Sequence, residues 1–130
     1  MEFFRIIKAE TQEINIQGDL TLENLASISN EIFIIDNQNE NNATIGSIWG
    51  EFTLSRMLIK GGIRFALLEC PNALTWTLTT GYPPDPDSLI IHLTINRKTQ
   101  KTAFIEEIEG FLDDQSTCLQ KFFKHRKTSN

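Results

Sequence analysis

Cysteine, histidine and tyrosine are scarce in this 130-residue chain, with two, two and one respectively. Two cysteines, Cys70 and Cys118, are too few for a disulfide framework, and in a reducing compartment each is a thiol by default. With His92 and His125 as the sole histidines, no pair of metal-ligand types lies at zinc spacing. No serine sits in a G-x-S-x-G elbow, and no nucleophile, base and orienting group are visible together. An excess of positive charge is also lacking: 12 basic against 17 acidic residues give a formal charge of −5. That balance repels phosphate backbones and anionic lipid surfaces, which argues against nucleic acid or a membrane as partner. The start "MEFFRIIKAE" carries Glu2, Arg5 and Lys8, so it lacks the unbroken apolar run of a signal peptide or membrane span, and a cytoplasmic location is expected.

What is present suits a folded domain. Hydrophobic residues make up 40% and charged residues 22% of the chain, and nine phenylalanines supply much of a core. The length fits a single domain over residues 1–130 that buries roughly two-thirds of its unfolded surface.

Periodicity gives the elements. "EINIQGD", Glu13 to Asp19, alternates Ile14 and Ile16 with polar residues and predicts a strand; Leu22 to Ser29, behind Thr21, predicts a short helix. Glu31 to Asp36 predicts another strand, and the asparagine-rich Asn37 to Thr44 a loop. In "IGSIWGEFTLSRML" one strand face takes Ile48, Phe52 and Leu54, which leaves Trp49 on the opposite, polar parity. "KGG", Lys60 to Gly62, is a hairpin turn leading to Ile63, Phe65 and Leu67 in alternation. "ALTWTLTT" and "LIIHLTIN" complete a four-stranded meander, with Trp76 and Ile91 on the core face and Ile90, His92 and Thr94 opposite. A helix from about Ala103 to Phe123 follows from the stripe Phe104, Ile108, Phe111, Gln115, Cys118 and Phe122; at about 1.5 Å per residue it spans about 30 Å. Thr102 is its candidate cap, and the basic cluster "KFFKHRK" suits its C-terminal end. The expected fold class is α+β: N-terminal strands and the meander form an antiparallel sheet packed against the long C-terminal helix.

The stretch Leu67 to Ile95 gathers Cys70, Trp76, Tyr82, His92 and all four prolines. "CPN" and "GYPPDPDS" read first as proline-built turns, and the two aspartates of "DPD" as a solvated turn instead of an acid–base pair. The Cys-Pro dipeptide also resembles the short haem-regulatory motif, in which proline turns the chain so that an exposed thiolate can ligate iron. That resemblance covers two residues and implies haem with Cys70 or His92 as axial donor, although Glu69 beside the thiol disfavours a thiolate.

The expected function is a non-enzymatic binding or assembly module that uses an exposed sheet face, with haem as the alternative. Its candidate ligand residues are Cys70, His92, Trp49, Tyr82, Ile90 and Thr94. Leu68, Trp49 and Ile90, apolar on the face away from the helix, point to a homodimer or a protein partner, or to a small apolar ligand.

Overall fold

Alternating apolar positions build one sheet whose inner side is covered by the last helix together with the short helices that follow the first strand. The computed structural model describes residues 1–80, 87–96 and 101–128, with side chains as far as residue 124. Its elements are β1 Glu2–Lys8, α1 Glu13–Asp19, a 3-10 turn at Leu22–Asn24, α2 Leu25–Ile28, β2 Phe33–Asn37, β3 Asn42–Ser47, β4 Gly50–Ile59, β5 Gly62–Leu68, β6 Thr75–Thr80, β7 Ser88–Thr94 and α3 Thr102–Thr128. The seven strands lie in the order β1-β7-β6-β5-β4-β3-β2, each pair antiparallel. The expected α+β fold, an antiparallel sheet against a long C-terminal helix, is the observed one. The meander is longer than the expected four strands, running from β2 to β7, and β1 closes the far side of β7.

On the inner side, Leu54, Ile63, Phe65, Trp76, Leu78, Ile91 and Leu93 share one buried core with Ile16 and Leu20 at α1 and with Ile108, Phe111, Leu112 and Leu119 of α3. Phe104 and Phe122 are half-buried, and Phe123 is the buried residue at the end of that stripe. Cys118, expected in the core, is half-buried at the margin. Thr102 is the first helical residue instead of the cap; the Lys101 carbonyl accepts from the Phe104 and Ile105 amides at 3.1 and 3.2 Å.

Two expectations fail locally. "EINIQGD" is helical, not extended. Ile16 and Leu20, one helical turn apart, enter the core while Ile14 is left 73% exposed. The helix is held by ties distant in sequence. The Glu13 carboxylate accepts from the Gly61 amide at 2.6 Å, and the Gln17 amide donates to the Ile59 and Gly62 carbonyls at 3.0 and 3.1 Å. The Arg56 guanidinium donates to the Leu20 carbonyl at 2.8 Å and to that of Gln17. Those contacts override a weak local period-two pattern.

The second failure is a hairpin hidden inside "IGSIWGEF". β3 ends at Ser47 and β4 begins at Gly50, whose φ of +119° suits glycine. The Ser47 hydroxyl donates to the Gly50 carbonyl at 2.8 Å and accepts from the Trp49 amide at 3.2 Å. The turn resets strand parity, so Ile48 is 49% exposed and Trp49 packs toward α3. The expected loop Asn37 to Thr44 is a loop only at residues 38–41: Asn37 ends β2 and Asn42–Thr44 open β3, and the turn between them is held where Asn39 Oδ1 accepts from the Asn41 and Asn42 amides at 2.8 and 2.9 Å.

At the other side of the sheet, Arg5 of β1 pairs through its guanidinium with Glu109 and, at 3.0 Å, with Asp113, both on α3. The bond to Glu109 raises the Arg5 pKa above its ordinary value.

Candidate functional site

The inner face carries an aromatic cluster centred on Phe111. Trp76 of β6 meets its ring edge-on at 5.3 Å and Trp49, from the β3–β4 turn, does so at 5.3 Å. Phe65 lies 5.2 Å from Trp76, and Phe104 5.9 Å from Trp49. The three edge-to-face pairs, Trp76–Phe111, Trp49–Phe111 and Trp49–Phe104, fix ring orientations beyond what area burial alone requires, while Phe65 is tilted on Trp76. Trp76 is 1% exposed whereas Trp49 and Phe104 are half-buried, so the Trp49–Phe104 end of this cluster lies nearest solvent.

One turn beyond Phe111, α3 places Gln115 on the same face, 0% exposed. Among the described residues neither its Nε2 nor its Oε1 has a hydrogen-bond partner, and the indole Nε1 atoms of Trp49 and Trp76 are likewise buried and unpartnered. Buried polar side-chain atoms are ordinarily bonded, and each orphan costs on the order of 1–3 kcal/mol. The sequence contained the signal: a glutamine stands where the helical stripe otherwise calls for an apolar residue.

The residues singled out from sequence fall elsewhere. Ile90, His92 and Thr94 lie on the outer face, as their parity requires. His92 stacks flat on Phe4, with centroids 4.3 Å apart and an angle of 2°, and its Nε2 is 3.1 Å from a Glu2 carboxylate oxygen. The Thr94 and Thr75 hydroxyls are 2.8 Å apart. Cys70 sits in the turn after β5, half-buried against the core, with its carbonyl accepting from the Ala73 amide at 3.0 Å. That turn has positive φ at Glu69 and Ala73 (68° and 49°), the flanks of "CPN", and not at Asn72. The Glu69 carboxylate turns back to β4, where it accepts from the Thr53 amide and hydroxyl, each at 3.0 Å. Trp49 belongs to the inner cluster instead of the outer face, and Tyr82 lies outside the described residues, as does Asp85. Cys70 and His92 are therefore not brought together, and haem through either finds no support in this arrangement.

A surface hollow of about 470 Å³ separates α2 from α3, lined by Ala26, Asn30, Cys118, Lys121 and Phe122 among others. Burial, and then Asp114, push the Cys118 thiol above its ordinary value, so it is poorly suited to act as a nucleophile. Among the described residues no cluster of His, Cys, Asp and Glu has the makings of a metal site, and no helix is long and apolar enough to cross a membrane.

No protein-family model and no curated protein matches this chain. Among solved structures the chain is similar to a START superfamily protein from Mycobacterium smegmatis, with a TM-score of 0.60 and 11% identity over 95% of this chain and 97% of that one. At that identity the likeness concerns the fold: a seven-stranded antiparallel sheet with a long C-terminal helix, shared over nearly the whole length of both chains.

Proposed function

We propose that this protein is a binding module without catalytic activity. It takes a small, largely apolar molecule with a hydrogen-bonding head between the inner face of the sheet and α3. The observation that carries this reading is Gln115, wholly buried with both amide atoms unpartnered, one helical turn from Phe111 and the two indoles packed on it, whose N–H groups are also unpartnered. A primary amide offers donors and an acceptor, and an indole only a donor. Together they fit a ligand head rich in acceptors, such as a carboxylic acid or its amide, with Phe65, Phe111 and the two indole rings around the apolar body. Half-buried Trp49 marks the way in, with its turn or the start of α3 moving aside. Among the described residues no nucleophile and base stand together on this face, which favours binding over catalysis, and the likeness in fold to a START superfamily protein supports the same reading.

The test is a thermal-shift and tryptophan-fluorescence screen against small aromatic and short-chain aliphatic carboxylic acids and their amides, run on wild type and Gln115→Leu. A compound that raises the melting temperature and alters indole emission in wild type only is the expected result. No response in wild type, or equal responses in both proteins, would defeat the proposal.

A further inference from the structure

The two outer strands of the sheet differ in what they leave open. β2 is short, and its register shifts between Ile34 and Asp36, a bulge that with the charge of Asp36 guards an edge against pairing. β1 pairs with β7 in unbroken register from Glu2 to Lys8. The Ile95 amide donates to Met1 O at 3.0 Å and the Ala9 amide to Asp87 O at 2.9 Å, so odd-numbered positions face β7. Alternation then turns the amides and carbonyls of Glu2, Phe4, Ile6 and Lys8 toward the free edge. Phe4 and Ile6 are also 54% and 66% exposed on the outer face. A long, regular, apolar edge of this kind is a template for another strand.

We infer that β1 pairs antiparallel with β1 of a second copy about a two-fold axis at Arg5, joining two sheets edge to edge. The sequence "EFFRIIK" is self-complementary in that register: Glu2 faces Lys8, Phe3 faces Ile7 and Phe4 faces Ile6, each pair occurring twice by symmetry. The edge-facing residues, all even-numbered, form the hydrogen-bonded pairs, so backbone geometry and charge select the same alignment. Shifting the register in either direction that backbone parity allows sets Glu2 against Ile6 or against Glu10. The residue that meets its own copy is Arg5, whose charge is already compensated by Glu109 and Asp113. Its Nη1 donates to the Phe4 carbonyl at 2.9 Å on that edge, which leaves the carbonyl's second lone pair for the partner strand. Glu2 gives one carboxylate oxygen to His92 and keeps the other for Lys8 of the second copy. This interface is independent of the inner ligand site. It also differs from the one expected from sequence, because Trp49 is committed to the core.

Sedimentation velocity up to high micromolar concentration tests it with wild type, Glu2→Lys, Lys8→Glu, an equimolar mixture of those variants, and the doubly swapped chain, circular dichroism confirming that each is folded. A monomer–dimer equilibrium is expected for wild type. Each single variant sets like charges opposite one another twice and should weaken self-association about ten-fold. The mixture, in which opposite charges meet again, and the double swap should both return to wild-type dimerisation. A wild type that stays monomeric, single variants that associate as wild type does, or a mixture no better than its components would each overturn the inference. If Glu2→Lys fails to fold without its His92 contact, Lys8→Glu against wild type decides alone: association as strong as wild type's would overturn the inference.

Discussion

The two faces of this one sheet follow opposite rules. Inward, Phe65, Trp76, Leu78, Ile91 and Leu93 are at most 1% exposed and meet a helix; outward, the same strands present Thr75, Thr77, Thr79 and Thr94, with Leu68 and Met57 about half exposed. Threonine supports strand geometry through its branched Cβ while leaving a hydroxyl for water, so the outer face adds β propensity without core packing. The anomalies run the other way round. The greasy face holds the orphaned polar atoms, and the wet face holds exposed apolar side chains beside β1. These departures are the observations on which the two proposals above rest.

The largest test of this contrast is Phe111→Ala. Phe111 joins both tryptophans, and the truncation should cost about 3–5 kcal/mol in chemical denaturation. A shift near zero would mean that α3 does not close the inner face. Gln115→Leu on the same face should move stability the opposite way, raising it by about 1–2 kcal/mol, because it removes unpartnered polar atoms at similar volume; a loss of stability would show that the amide is bonded within the free protein.

Glu31, at the α2–α3 margin, gives a smaller effect that depends on pH. Burial first, and Asp114 second, raise its carboxyl above the ordinary 4.5. The folded chain thus holds this proton more tightly than the unfolded chain, and stability falls as pH rises from 4.5 through the raised value. Glu31→Gln should therefore melt higher than wild type at neutral pH, with the advantage vanishing below the carboxylate range; an advantage that persists unchanged in acid would exclude this cause. Smallest of all, Thr77→Ala on the outer face should stay within about 0.5 kcal/mol of wild type in the same denaturation assay. A cost rivalling that of Phe111→Ala would erase the distinction between the faces.

The later part of the chain was legible because its faces are clean. Ile63, Phe65 and Leu67, then Leu74, Trp76 and Leu78, then Leu89, Ile91 and Leu93 alternate without interruption, and all are buried. The earlier part reads poorly for identifiable reasons. The doublets Phe3–Phe4 and Ile6–Ile7 make β1 apolar on both faces, so it shows no period. α1 depends on Gly61, Ile59 and Arg56, far away in sequence. The β3–β4 turn carries Ile48 and Trp49 at its two central positions, and its turn formers Ser47 and Gly50 only flank them, so missing it put Trp49 on the wrong face. Gln115 stood in plain view within the α3 stripe, but only burial without a partner makes it informative.

The placement of β1 also sets a timetable. β2 to β7 pair with neighbours in sequence, whereas β1 pairs with β7 and ties to α3, across separations such as 90 residues from Glu2 to His92 and 104 from Arg5 to Glu109. Closing such long loops is slow compared with forming a hairpin. On the ribosome, β1 is the first strand of this sheet to emerge and the last that can find its place, since β7 and α3 must be made before it docks. Throughout that interval "EFFRIIK" has both of its edges unpaired, and the nascent chains on a crowded message expose the same self-complementary strand to one another before any of them has folded.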